Sequence, residues 1–315
     1  MSSFAAPTPQ ESGLSVALIN DLLTAALGKF TGMDTEDREY SCLEQLWGYE
    51  LNGAKRSLPE TDADVVTNPP TGAQAEGAPE HIWYKDAFNY WEDEKICPIT
   101  DDGVLGGYGS LTEMDTRDSN VFLDTLQAKR PTLQFDRVAD CGAGIGRVTK
   151  NLLLSRFDKV DLVEQSPRLM AAAPGYLGQE SEGRIKCIVQ GLQDFAPAPN
   201  TYDVIWIQWV IGHLHDIDFV HFFRRCALGL KPGGIIALKD NSTESCAFLV
   251  DKEDSSIARH TEYIRILLRL AGLNIVMEQR QTDFPEELLP VTMFAIAPPA
   301  SAPAPAPAPA AAAGY

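Results

Sequence analysis

The sequence is short of positive charge and of paired cysteines. Its 315 residues contain 26 Lys and Arg against 44 Asp and Glu, which gives a net charge of −18. Such a chain repels nucleic acid and attracts basic partners, although plain solubility would also account for this charge. The six cysteines form no Cys-x-x-Cys pair and no metal-ligand spacing. We therefore expect reduced thiols and a location in the cytoplasm, and also in the nucleus.

Long apolar runs are also missing. No stretch approaches the ~18 consecutive apolar residues that a membrane span needs. The first residues lack a basic segment followed by an apolar core, so we expect no signal peptide. The chain is nevertheless 44% hydrophobic, which is enough for a sizeable core. We expect a monomer with no membrane partner and no direct nucleic-acid partner.

Composition changes along the chain predict its domain boundaries. Apolar residues recur at helical spacing in residues 14–30, and residues 39–51 also predict a short helix. These helices would pack on the main domain, or alternatively be offered to a partner. A stretch rich in Pro, Gly, Asp and Thr then predicts a flexible linker, and the chain ends in a Pro/Ala tail without a core. The predicted extension, linker, main domain and disordered tail are residues 1–51, 52–80, 81–297 and 298–315.

Apolar strands alternate with helical segments in the second half of the chain. This alternation predicts an α/β fold, with a mainly parallel sheet and helices on both faces. Ser166 followed by Pro167 predicts the capped start of one helix. Residues 257–270 predict another helix, which would end at Gly272.

The most informative stretch is Val-Ala-Asp-Cys-Gly-Ala-Gly-Ile-Gly-Arg, at residues 138–147. A short strand is followed by glycines at alternate positions, Gly142, Gly144 and Gly146, and then by a helical run. A strand, a glycine turn and a helix start together form a cradle for a nucleotide-like ligand. A dinucleotide loop of the form G-x-G-x-x-G would need glycine where Arg147 stands, so a dinucleotide oxidoreductase is the least favoured function.

The D-x-G-x-G-x-G spacing resembles the first motif of class I S-adenosylmethionine-dependent methyltransferases. Glu164 ends the next strand, 22 residues after Gly142, and a carboxylate there can accept both ribose hydroxyl protons. A glycine-rich turn without a ligand is the alternative. The resemblance implies S-adenosylmethionine as the cofactor. It also implies a Rossmann-like, seven-stranded, mostly parallel sheet with helices on both faces, to which an N-terminal helical extension is added.

Three further segments resemble the protein α-N-terminal methyltransferases. They are residues 102–109, residues 202–214, and the pair Lys239-Asp-Asn241 and Asp254-Ser-Ser256. This family modifies the free amino terminus of proteins that begin Xaa-Pro-Lys or Xaa-Pro-Arg after removal of Met. The resemblance covers residues 83–297. It implies a protein N-terminal methyltransferase whose partners are basic N-terminal tails, for example those of ribosomal or chromatin proteins.

The resemblance also implies a set of cofactor-binding residues. They are Gly142, Gly144, Arg147, Glu164, Leu192, Gln193 and Gln208. Arg147 would pair with the cofactor carboxylate, and a surface salt bridge is its alternative role. Glu164 would hold the ribose, although close relatives carry Asp there. Leu192 and Gln193 would frame the adenine.

On the substrate side, the resemblance implies that Asp254 and His213 receive or relay the amine proton and that Asn241 orients the peptide. The implied peptide contacts are Trp91, Leu105, Trp209, Asp251 and Ser256. Each role has a structural alternative. Asp254 could instead cap a helix, His213 could be a core or loop histidine, and Trp91 belongs to an aromatic cluster at helical spacing. His213 and His215 alone are too few for a metal site.

Two departures from the family pattern lie on the substrate side. Close relatives carry Tyr where this chain has Leu289, and one extra residue separates Asn241 from Asp254. Two other functions stay open from the sequence: a small-molecule methyltransferase with a closed pocket, and an adaptor that binds the cofactor without turnover. The intact set of Asp254, Asn241 and His213 argues against the adaptor.

Overall fold

The computed structural model describes residues 16–27, 31–51 and 79–299. The predicted linker, apart from residues 79 and 80, and the predicted tail beyond residue 299 lie outside these ranges. The helices are α1 (Val16–Leu27), α2 (Leu43–Glu50), α3 (Pro79–Glu92), α4 (Asp101–Val104), α5 (Thr112–Lys129), α6 (Arg147–Asn151), α7 (Pro167–Leu177), α8 (Asp216–Gly229) and α9 (Thr261–Leu270). None of these helices is long and apolar enough to cross a bilayer.

A sheet runs through the whole described structure. Its strands are β1 (Gly32–Asp34), β2 (Glu39–Tyr40), β3 (Arg137–Cys141), β4 (Lys159–Glu164), β5 (Ile185–Val189), β6 (Tyr202–Gln208), β7 (Leu230–Thr243), β8 (Phe248–Asp251), β9 (Ser256–His260), β10 (Asn274–Arg280) and β11 (Val291–Ala297). Seven strands form the central part in the order β5-β4-β3-β6-β7-β11-β10. The five strands from β5 to β7 are parallel, and the two last strands are antiparallel. The mostly parallel α/β fold is therefore confirmed.

Both faces of the central sheet are covered, because successive strand residues point to opposite sides. On β6, Ile205 and Ile207 join one apolar core, while Val204 and Trp206 join the other. Helices α8 and α9 pack on the first face, and α5 and α7 pack on the second. The strand order reverses between β3 and β6, and ligands bind at the carboxyl ends of strands beside such a point.

The N-terminal extension packs on the main domain. Strands β1 and β2 join β8 and β9 in a four-stranded flank, which meets the central sheet at the end of β7. Ile19, Leu23 and Leu46 are buried in the first core. Trp47 is buried beside them, and its Nε1 donates to Asp216 Oδ2 at 2.5 Å. This is the packing role that helical spacing suggested for the extension.

Several predicted boundaries need correction. Residues 256–260 form β9 rather than the start of a helix, and His260 caps the helix that begins at Thr261. In the predicted second helix of the extension, Glu39–Tyr40 is a strand and the helix is Leu43–Glu50. The capped helix start at Ser166 is confirmed, because its side chain accepts from Leu169 N at 3.0 Å.

Candidate active site

A cleft lies at the carboxyl ends of β3, β4 and β6. It encloses about 850 Å³, part of it open to solvent. All seven residues implied as cofactor contacts line this cleft, namely Gly142, Gly144, Arg147, Glu164, Leu192, Gln193 and Gln208. Their individual roles stay predictions.

The glycine turn packs closely against the wall of the cleft. Gly142 has φ +76°, and a Cβ at this position would lie 2.6 Å from the Cβ of Val210. The backbone N–H of Gly142 donates to Val163 O at 2.9 Å, so the turn is fixed against β4. A side chain here would both strain the backbone and displace the wall of the cleft. The turn therefore fits the cofactor that the sequence implies.

Glu164 is held by backbone donors at the end of β4. Its Oε2 accepts from Gly144 N at 3.0 Å, and its Oε1 accepts from Ser166 N at 2.9 Å. Burial raises the pKa of this carboxyl group, and the two backbone donors oppose that rise. Each carboxylate oxygen keeps one further acceptor position. Glu164 can therefore accept hydrogen bonds from two ribose hydroxyl groups while keeping its hydrogen bonds from Gly144 N and Ser166 N.

Arg147 is buried rather than part of a surface salt bridge. It is 4% exposed, and its Nη1 lies 2.8 Å from Asp115 Oδ2. Asp115 also pairs with Lys239 and accepts from Gln208 Nε2 at 2.8 Å. Burial acts to raise the pKa of Asp115, but Lys239 and Arg147 together hold it below the usual value. Asp140 also interacts with Arg147, and Asp118 with Lys239, so buried charges of both signs lie together in this cluster.

Trp209 forms the boundary between this charged cluster and the substrate side. It follows β6 in the left-handed region, with φ +51°, and it lines the cleft. The guanidinium carbon of Arg147 lies 5.4 Å from its ring centroid, and Lys239 Nζ lies 5.9 Å away. The ring of Phe284 is tilted against it at 6.3 Å. Two cations and one aromatic ring thus hold the Trp209 indole, which is the implied wall for the peptide, in place.

Both ring nitrogens of His213 are engaged. Trp91 Nε1 donates to His213 Nε2 at 3.0 Å, and His213 Nδ1 lies 3.2 Å from Ser255 O. These contacts together assign the neutral tautomer with its hydrogen on Nδ1. His213 can then take up a proton at Nε2 only after Trp91 stops donating to it. Trp91 and His213 both line the cleft, as does Leu105.

Asp254 lies in the turn between β8 and β9. Its Oδ1 is buried and has no hydrogen-bond partner among the described residues. Burial raises the pKa of this carboxyl group, while a hydrogen bond from Ser256 acts to lower it, and His213 lowers it only when its imidazole carries a proton on both nitrogens. Because a strand and not a helix follows, Asp254 caps no helix. The next residue, Ser255, has φ +54°, and its carbonyl is the one that faces His213.

Asn241, Asp251 and Ser256, like Asp254, are not among the residues that line the cleft. Asp251 ends β8 and Ser256 begins β9, so both flank the turn that carries Asp254. Asn241 lies opposite Val291, near the end of β7. Leu289 is half-buried in the loop before β11. The implied substrate residues that line the cleft are therefore Trp91, Leu105, Trp209 and His213, and all these roles stay predictions.

Sequence reasoning missed three buried charged residues that organise this site. Asp115 and Lys239 are fixed in the cluster with Arg147, and Asp240 Oδ2 accepts from Val210 N at 3.1 Å and Ile211 N at 3.2 Å. Burial raises the pKa of Asp240 to about 6. Through its two hydrogen bonds to backbone N–H groups, Asp240 fixes the loop that carries Trp209 and His213. Lys239 and Asp240 lie in a segment that resembles the family, but nothing in the sequence pairs Lys239 with Asp115, which is 124 residues away.

Comparison with known proteins identifies the family. A family model described as AdoMet dependent proline di-methyltransferase matches residues 79–297. The chain belongs to this family. It is accordingly an S-adenosylmethionine-dependent methyltransferase, and the Rossmann-like fold and the cofactor expected from the sequence are confirmed.

Two curated relatives support this assignment over most of the chain. N-terminal Xaa-Pro-Lys N-methyltransferase 1 of Xenopus tropicalis is 44% identical over 219 residues, covering 69% of this chain and 96% of the relative. Alpha N-terminal protein methyltransferase 1 of Oryza sativa subsp. japonica is 39% identical over 283 residues, covering 84% of this chain and 91% of the relative. The rice alignment is longer than the family region, so it extends into residues outside the methyltransferase domain.

A solved structure agrees with the fold. A SAM-dependent methyltransferase from Leishmania major superposes with a TM-score of 0.70 at 34% sequence identity. The superposition covers 85% of this chain and 96% of the Leishmania chain. This methyltransferase family member therefore shares most of its architecture, including part of the N-terminal extension, with that protein.

Proposed function

We propose that this methyltransferase acts on the free α-amino group of proteins that begin Xaa-Pro-Lys or Xaa-Pro-Arg once the initiator Met is gone. The observation that carries the proposal is the unpartnered, buried Oδ1 of Asp254, in a turn that contacts His213 at the cleft. The printed names of the frog and rice relatives support the same acceptor.

The chemistry requires a neutral amine. A free α-amino group has a pKa near ~8, so most of it is protonated at neutral pH and lacks the lone pair that attacks the methyl group. S-adenosylmethionine supplies an electrophilic methyl group on a sulfonium sulfur. Asp254 takes one proton from the amine, since the raised pKa of its carboxyl group makes it a stronger base than an exposed Asp. The nitrogen must then be held about 3–3.5 Å from the methyl carbon.

His213 first positions the base and relays a proton only after a rearrangement. Its Nδ1 donates to Ser255 O, which fixes the residue next to Asp254. Its Nε2 accepts from Trp91 Nε1, so a proton can reach this nitrogen only if that hydrogen bond is broken. Asn241, near the end of β7, orients the peptide backbone.

The peptide would lie between two indole rings. Trp91 and Trp209 line the cleft and give flat apolar walls for proline at position two, whose missing N–H needs no acceptor. Leu105 contacts the peptide backbone from the other side. Asp251 and Ser256, on either side of the Asp254 turn, receive the Lys or Arg at position three.

The negative net charge of the chain suggests the kind of protein substrate. The net charge of −18 suits basic N-terminal tails, and ribosomal and chromatin proteins are examples of that chemistry. We propose a cytoplasmic location, extending to the nucleus, which agrees with six free cysteines. We also propose that the enzyme acts as a monomer.

Mass spectrometry would test this function. The protein is incubated with S-adenosylmethionine and two peptides that begin Ser-Pro-Lys, one with a free amine and one acetylated. We expect mass steps of one methyl group only on the free-amine peptide. Methylation of both peptides would move the acceptor to a side chain. Cofactor binding without methylation of either peptide would favour the adaptor or a small-molecule substrate.

A further inference from the structure

The N-terminal extension contacts the turn that carries Asp254. Strand β1 lies parallel to β8, with Gly32 opposite Phe248 and Asp34 opposite Val250. The approach is close, since a Cβ on Gly32 would lie 2.5 Å from the Phe248 ring. Because the two strands run in the same direction, the end of β1 meets the end of β8, where the turn at residues 251–255 begins.

Two residues of the extension bind this turn directly. Thr35 N donates to Val250 O at 2.9 Å, and Lys252 N donates to Thr35 Oγ1 at 3.0 Å. Glu50, at the end of α2, pairs with Lys252 Nζ at 2.5 Å, and the Glu50 side chain is only 4% exposed. The Tyr40 hydroxyl lies 2.9 Å from the same carboxylate. The turn is therefore tied to two separate elements of the extension.

The turn needs support from outside. Ser255 has φ +54°, a conformation that costs a non-glycine residue free energy and persists only where the surroundings enforce it. His213 holds the turn from the cleft side through Ser255 O. Thr35 and Glu50 hold it from the opposite side. Asp254 lies between these two supports.

The ion pair with Glu50 also affects the charge of the substrate site. Lys252 stands between Asp251 and Glu253 and two residues before Asp254. Held by Glu50, its ammonium group is turned toward the extension. If the Lys252 ammonium group were released from Glu50, it would compete with a basic substrate residue for the neighbouring carboxylates. The frog relative aligns with only 69% of this chain but over 96% of its own length, so this support is an addition to the methyltransferase domain.

We propose that the N-terminal extension is a positioning element of the substrate site, in which Thr35 and Glu50 fix the turn at residues 251–255 and thereby the Asp254 carboxylate. The inference rests on the proposed function, because it assigns the turn to the peptide side. It makes Thr35 and Glu50 positioning residues, which touch neither cofactor nor peptide.

The test uses Thr35→Val and Glu50→Gln, singly and together, in the full-length protein. For the double variant we expect kcat/KM for the free-amine Ser-Pro-Lys peptide to fall about tenfold or more, because small displacements of a base are costly. Calorimetric affinity for S-adenosylhomocysteine should stay unchanged. Thr35→Ser keeps the hydroxyl acceptor and should retain wild-type kinetics, and so should Glu44→Gln, an exposed acid on the same helix.

The outcomes separate the two proposals. Unchanged peptide kinetics in the double variant would overturn the positioning role, and so would a parallel loss of cofactor affinity, which indicates a general structural effect. Absence of methylation by the wild-type protein would refute the proposed function instead. If the double variant does not fold, the rate of amide hydrogen exchange across residues 249–256 is measured in Thr35→Val and compared with that of the wild-type protein. We expect faster exchange there, and unchanged exchange would count against the inference.

Discussion

Lys239 determines the charge around the cofactor end of the cleft. It is fully buried, and burial lowers the pKa of its ammonium group against the opposing effect of Asp115. Without Lys239, Arg147 and Asp115 would form an ion pair with no net charge. Burying a second cation has a desolvation cost, which attraction for the carboxylate of the bound cofactor can offset.

Replacing Lys239 should therefore weaken binding of the cofactor's amino-acid end alone. For Lys239→Met we expect about tenfold lower affinity for S-adenosylhomocysteine, from loss of one nearby positive charge. Affinity for methylthioadenosine, which lacks the amino-acid carboxylate, should not change. Calorimetry with both ligands measures this, and Lys231→Met, which removes a cation paired with Asp203 instead, is the control. Equal losses for both ligands would indicate a deformed pocket.

Asp254 gives a pH-dependent prediction. Only its deprotonated form accepts a proton, and burial raises its pKa. The value of kcat should therefore fall, as the pH decreases, at a higher pH than the ~3.9 of an exposed Asp would give. Asp254→Asn should lower kcat by about 10²–10⁴-fold and abolish this dependence. The pH profiles of both proteins, with S-adenosylhomocysteine affinity as control, test the role. An equal loss of cofactor affinity would contradict it.

The sequence predicts residues that occur at a fixed spacing and misses those that meet only in the fold. Glu164 could be predicted because it ends the strand that follows the glycine turn. Asp115 and Lys239 are 124 residues apart, and each by itself resembles an ordinary surface charge. Their burial depends on α5 packing across β7, which no local pattern reveals. The side-chain contact between Trp91 and His213 is hidden for the same reason.

Among the elements, the glycine turn offers a matched pair of substitutions. Gly142 and Gly272 have nearly the same φ, +76° and +77°. A Cβ on Gly142 meets Val210 at 2.6 Å, whereas nothing lies within 4 Å of a Cβ on Gly272. Both alanine variants should lose about 1–2 kcal/mol of unfolding free energy through the left-handed backbone. Only Gly142→Ala should also lose S-adenosylhomocysteine affinity, by about tenfold or more.

Denaturant unfolding and calorimetry measure the two effects separately. If Gly272→Ala weakens cofactor binding as much as Gly142→Ala does, the clash with Val210 is not the cause. The prediction for Gly142 is then wrong.

Short elements were the least predictable from the sequence. The segment that forms β9 contains Arg259, which is 1% exposed and pairs with Asp216. A buried arginine interrupts the apolar alternation that marks a strand, so the sequence predicts a part of the following helix here. Strands β1 and β2 have only three and two residues. Strand β1 pairs with β8, more than 200 positions away, and β2 pairs with β1. The long central strands, by contrast, can be predicted from their apolar composition.

At the scale of the whole molecule, Asp216 links the extension to the main domain. Its Oδ2 accepts from Trp47 Nε1 and from the Tyr263 hydroxyl, each at 2.5 Å, and its Oδ1 accepts from Arg259 Nη2 at 3.0 Å. All four side chains are buried. The extension and the sheet should therefore unfold together in one transition.

Two tryptophan substitutions test this coupling. Trp47→Phe removes a donor to a buried carboxylate and should lower the free energy of unfolding by about 1.5–3 kcal/mol beyond the effect of ring size. Trp83→Phe removes a donor to the carbonyl of His213, and its corresponding loss should be about 0.5–1.5 kcal/mol. Denaturant unfolding followed by circular dichroism gives both values. Separate transitions, or a larger loss for Trp83→Phe, would argue against the link through Asp216.

The pairing of β1 with β8 also bears on solubility. A strand at the border of a sheet presents free N–H and C=O groups, on which another chain can add a strand of its own. Here β1 satisfies one side of β8, and the outermost strand is β2, which has only Glu39 and Tyr40. A two-residue border with an exposed charge is a poor template for aggregation. The extension therefore protects the folded enzyme from self-association along this edge, and a chain without residues 31–40 would expose β8 to it.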